Sequence, residues 1–120
     1  MKYMIMTFGS AADAVETMGK DWMRDMIAFM RKLDDDLRKS GELVSEEGLA
    51  DGSTAKTVRF ENGQPVATDG PFAEAKEALV GYWIVDVESE ARAIEIASTI
   101  TAYVKAPIEV RRVMDAPPDY

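Results

Sequence analysis

Two stretches of this chain are apolar at both odd and even positions, and they organise the rest of the pattern. In Tyr3-Met4-Ile5-Met6-Thr7-Phe8 both alternation classes are largely apolar, so a strand there needs cover on both faces and belongs in the middle of a sheet. Leu79-Val80-Gly81-Tyr82-Trp83-Ile84-Val85, continued by Val87, has the same character and predicts a second central strand. Ile108-Glu109-Val110-Arg111-Arg112-Val113 instead alternates apolar and charged residues, as an outer strand half open to water does. Leu43 to Leu49 supplies the fourth candidate.

Two helical patterns separate these strands. From Asp21 to Lys39, apolar residues fall at Trp22, Met26, Phe29/Met30, Leu33 and Leu37, which is one stripe at helical spacing. Gly41 provides the stop, and Asp34 with Arg38 and Asp35 with Lys39 form acid-first i,i+4 pairs. The run Asp34-Asp35-Asp36 reads as a solvated face, and Met18, Met23, Met26 and Met30 read as core packing. Ser89 is placed to cap a second helix with a stripe at Ala93/Ile94, Ala97, Ile100/Thr101 and Val104, ended by Pro107.

Asn62-Gly63 is a strong short hairpin signal. A two-residue turn there pairs Glu61 with Gln64, Arg59 with Val66 and Thr57 with Thr68, delivering the chain to Asp69 in a fixed register. The order is therefore β-α-β-(hairpin)-β-α-β, an α+β, ferredoxin-like βαββαβ fold with an inserted β-hairpin. Right-handed crossovers put both helices on one face of the sheet. Met4, Met6, Tyr82 and Ile84, or their alternates, are then left uncovered, which predicts a homodimer packing open sheet face against open sheet face.

Composition narrows the chemistry. The 120 residues fit one domain, assigned to 1–114, with a loose tail at 115–120. A formal net charge of −8 counts against nucleic acid as a partner. Cysteine and histidine are both absent, which removes thiolate chemistry and the commonest base and metal ligand. No metal or cofactor is expected. No apolar run reaches membrane-spanning length, and Met1-Lys2 leads into a strand without a signal-peptide pattern, so a cytoplasmic location is expected.

The segment Thr68-Asp69-Gly70-Pro71-Phe72-Ala73-Glu74 combines a tight-turn signal with an aromatic anchor and a carboxylate. With Lys76-Glu77, Gly81-Tyr82-Trp83-Ile84-Val85-Asp86-Val87 and the closing Ile108-Glu109-Val110-Arg111, it resembles the YCII-related family in its DGPF-motif branch. The opening Met1-Lys2-Tyr3-Met4 and the segment from Gly41 to Leu49 fit as well. Ala75, where Thr or Ser is usual, and Arg112, where Pro is common, depart from the pattern. The resemblance implies a dimeric α+β barrel-type assembly and a partnership with a sigma factor. Some YCII-like members use a His-Asp pair on small ring compounds, and a chain without histidine cannot carry that pair.

Two function classes follow. One is a small-ligand-binding or accessory, sigma-factor-associated domain. The other is a cofactor-free enzyme on a small organic substrate, dehydrochlorinase- or isomerase-like, with a carboxylate base. Asp69 is the candidate base, and a turn former on the plainer reading. Glu47, Arg59, Glu74, Lys76 and Tyr82 are the candidate ligand-binding residues. Arg59 is the natural counter-charge for an anion or a cross-strand partner. Glu74 and Lys76 stand at a cleft mouth or on the surface, and Tyr82 and Trp22 line a pocket or pack in the core or at the dimer seam. Phe72 plugs the turn.

Overall fold

A computed structural model describes residues 1–71 and 78–119. Among these residues the chain forms β1 (Lys2–Gly9), α1 (Ala11–Met18), α2 (Lys20–Lys39), β2 (Leu43–Gly48), β3 (Lys56–Glu61), β4 (Gln64–Asp69), β5 (Ala78–Asp86), α3 (Glu90–Val104) and β6 (Ile108–Arg112). Four strands make an antiparallel sheet in the order β2-β5-β1-β6, and β3 and β4 make a separate ribbon. The doubly apolar strands β1 and β5 are thus the central pair, as the pattern requires. This is the α+β, ferredoxin-like arrangement with an inserted hairpin.

Register decides which face meets the helices. Tyr3 lies opposite Val85 and Ile5 opposite Trp83, so these four side chains share one face. All four are buried, together with Leu37 of α2 and Ala93, Ile96, Ala97 and Ile100 of α3. The alternate set follows from the same pairing: Met4 faces Ile84 and Met6 faces Tyr82. These four side chains are only partly covered within one chain. The molecule measures 50 × 48 × 20 Å, thin enough for one sheet layer and one helix layer.

Local signals place most boundaries. The Ser89 side chain accepts the Arg92 N–H and starts α3, and Lys105 in a left-handed conformation closes it. The hairpin has the expected pairs Glu61–Gln64, Arg59–Val66 and Thr57–Thr68. Asn62 and Gly63 both have positive φ, 51° and 79°, as a type I′ turn needs.

Four expectations need correction. A short helix, α1, precedes α2 and is separated from it by Gly19 at φ 88°. Ser10 caps it by accepting the Asp13 N–H. The ion pairs on α2 are Lys32–Asp36, Arg38–Asp35 and Arg24–Asp21, rather than Asp34–Arg38 and Asp35–Lys39. Asp34 does not belong to a purely solvated face, because it accepts the Trp83 indole N–H at 2.7 Å. Of the methionines assigned to the core, Met30 packs against it, Met18 is exposed, and Met23 and Met26 line a cleft.

Two contacts fix β2 to the body. Gly81 approaches β2 so closely that a Cβ there would stand 2.9 Å from the Glu47 carbonyl oxygen. Gly81→Ala should therefore push the two strands apart and destabilise the fold by about 1–3 kcal/mol, read as a fall in the urea midpoint at unchanged slope. Just before β2, Glu42 receives a two-pronged hydrogen bond from Arg92, Nε at 2.8 Å and Nη2 at 2.9 Å. The Arg92 bond, helped by Ser40, holds the Glu42 carboxyl below its ordinary range.

That depression sets the direction of a pH effect. With the folded pKa below the ordinary 4.5, the pair stabilises fully above that pH and loses its contribution as pH falls through the depressed value. Arg92→Ala should cost about 1–2 kcal/mol at pH 7, less than a fully buried pair because the guanidinium is a third open to water. The difference between variant and wild type should shrink on acidification below pH 4.5, measured by urea unfolding at several pH values.

Candidate functional site

The residues singled out by sequence do not gather into one enclosed site. Asp69 ends β4 opposite Lys56, and its carboxylate accepts from the Lys56 ammonium while its side chain stays 87% exposed. The turn beyond it is held by backbone instead. Gly70 at φ 99° donates its N–H to Ala55 O at 2.7 Å, and its carbonyl accepts from the buried Thr57 hydroxyl at 2.8 Å. Arg59 lies on β3, half-buried, opposite Val66. Glu47 lies on the edge strand β2 opposite Tyr82 of β5, so both share the open sheet face with Met6. Glu74, Lys76 and Phe72 fall outside the described residues.

A different set of residues forms a cleft. At the far end of the central strands, the helix layer and the sheet part around a space of about 250 Å³. The cause lies in the strands themselves: the β1–β5 register shifts between Thr7 and Phe8, which face Gly81 and Leu79 and leave Val80 unpaired. A bulge of this kind bends a strand and ends its regular packing. Val80, Thr7 and Phe8 make the floor; Trp22, Met23 and Met26 of α2, Val104 at the end of α3, and Ala106 and Pro107 after it make the walls.

Helix α2 supports this division. Leu37, near its C-terminal end, is its buried residue, and Met30 and Leu33 pack beside the core. Its first turns face the cleft. Trp22 is backed by Tyr103, with ring centroids 6.0 Å apart, and Tyr103 stacks on Phe29 at 4.5 Å. This aromatic cluster spans α2 and α3 and fixes the wall without filling the space.

The cleft carries little polarity. Its hydroxyls are those of Thr7 and Ser10; Thr7 donates to Gly81 O at 3.2 Å, and Ser10 donates toward Asp51 Oδ1 at 3.4 Å. Hydrogen bonds from the Ser53 hydroxyl, the Ser53 N–H and Ser10 hold the Asp51 carboxyl below its ordinary range. Trp22, which the sequence offers as a pocket residue or as core, does line the cleft; Met23 and Met26 carry no such signal, since they look like core residues of any amphipathic helix. Among the described residues no cluster of three or more acidic residues could hold a metal, and no helix is long and apolar enough to cross a membrane.

Comparison with known proteins places the chain. An uncharacterized protein of Rhizobium meliloti (strain 1021) is 34% identical to it over 79 residues, which make up 66% of this chain. The chain spans 60% of the length of that relative. The YCII-related domain matches residues 1–117, nearly the whole length, and with the α+β sheet topology described above the chain belongs to the YCII-related domain family.

Proposed function

We propose that this protein is a homodimer that binds a small organic molecule, with its open sheet face covered by a second copy and the apolar cleft receiving the ligand. The cleft is the observation that carries the ligand-binding reading. Its aromatic and thioether lining and its few placed hydroxyls match the usual make-up of small-molecule sites. The dimer is supported by shape. The radius of gyration is 16.6 Å, against about 14 Å for a compact chain of this length, and Met4, Met6, Tyr82 and Ile84 stand on the uncovered face. Glu47 belongs to that face too, so in the dimer it and Tyr82 lie at the seam.

Asp69 supports the catalytic alternative poorly. Its carboxylate is paired with Lys56 and open to water, so bulk solvent reaches it freely. The DGPF-motif resemblance supports an accessory role beside a sigma factor. Co-purification of the full chain with a sigma factor at micromolar concentration tests that partnership, and a clean absence of complex contradicts it.

For ligand binding, 1-naphthol is a neutral probe of suitable size. It should quench tryptophan emission saturably through Trp22, and an Ala106→Phe change, which fills the cleft, should remove the effect while leaving circular dichroism unchanged. Quenching that is linear in probe, or unchanged in Ala106→Phe, would contradict the reading.

A further inference from the structure

We infer that the cleft selects a small arylalkyl amine, its ring among Phe8, Trp22, Met23 and Met26 and its ammonium directed to the Ser10–Asp51 end. This rests on the ligand-binding reading above and adds the chemical class of the ligand. Size sets the first limit: about 250 Å³ holds a single ring with a short chain, roughly ten non-hydrogen atoms. A planar ring suits the two aromatic side chains, and the methionine sulfurs add favourable contacts at a ring edge.

Charge sets the second limit. Among the described residues that line the cleft there is no lysine or arginine, so a ligand carboxylate would enter without a counter-charge or a charged donor, which is costly. The Ser10 hydroxyl is committed on both sides, accepting the Asp13 N–H at 3.2 Å and leaning toward Asp51. Asp51 lies one hydrogen bond beyond that lining hydroxyl and borders an adjoining hollow that shares Gly9 and Val80 with the cleft. Its carboxylate accepts from Ser53 N–H at 3.1 Å and Ser53 Oγ at 2.6 Å, from Ser10 and from the Ala12 backbone N–H, and as an anion it attracts a nearby ammonium through its charge. The polar end of the site is thus a carboxylate with no lysine or arginine among the described residues that line the cleft or the adjoining hollow. The net charge of −8 raises the local concentration of cations around the whole molecule.

The test uses the full chain labelled with ¹³C at the methionine methyls and titrated with 2-phenylethylamine and, separately, phenylacetate. The amine should shift the Met23 and Met26 methyls saturably with a Kd of roughly 0.1–1 mM, leaving Met4 and Met6 in place. Phenylacetate should bind at least about tenfold more weakly. Asp51→Asn, which keeps an acceptor for Ser53, should weaken the amine by roughly two- to fivefold and leave phenylacetate no weaker. Equal binding of acid and amine, or an Asp51→Asn affinity equal to wild type, would overturn the inference. Shifts confined to Met4 and Met6 would move the site and leave a ligand-binding role standing. No methionine shift with either probe would overturn the proposed ligand class, while saturable 1-naphthol quenching would still uphold ligand binding.

Discussion

Ile84→Arg is expected to yield a folded single chain in place of the proposed dimer. Ile84 lies opposite Met4 on the sheet face turned away from α2 and α3, so the substitution leaves Ile5, Trp83, Val85 and the rest of the core untouched. In a sheet-to-sheet dimer it would place one arginine from each copy in an apolar seam, with the residue across the strand pair also apolar. Two desolvated like charges are a large penalty with no compensating partner. As a single chain the same residue is solvated and harmless. The result to look for is half the wild-type mass in solution with unchanged far-ultraviolet circular dichroism.

Leu37→Ala should be the most damaging single truncation on α2, at about 3 kcal/mol. Leu37 is 2% exposed and is the buried residue of α2, a helix of 20 residues. Its neighbours Met30 and Leu33 are partly covered, and the first turns of α2 border the cleft. The helix is therefore pinned near one end, and the pin is this side chain. Next to it Asp34 accepts the Trp83 indole N–H, a bond that loses its geometry if the helix lifts. Urea unfolding should show a lowered midpoint, and a loss under about 1 kcal/mol would mean that α2 is held elsewhere.

Much of the architecture was written in period and turn chemistry. Tyr3–Phe8 and Leu79–Val85 could not be edge strands, because neither has a polar face to offer water, and Asn62-Gly63 set the hairpin register to the residue. What could not be read depends on tertiary geometry. The bulge at Val80 has no signature in a run of apolar residues, yet it opens the cleft. The cleft itself draws on segments from Thr7 to Pro107, and each taken alone looks like ordinary core. Asp34 looked solvated because its partner, Trp83, lies 49 positions away. Asp69 drew attention through its motif, and the structure gives that carboxylate an exposed lysine for a partner.

What covers Met4, Met6, Tyr82 and Ile84 on the open sheet face decides the architecture in solution. Multi-angle light scattering on the wild-type chain in dilute neutral buffer answers this most directly. A mass of two chains is the predicted result, and a mass of one chain that persists as concentration rises would contradict it.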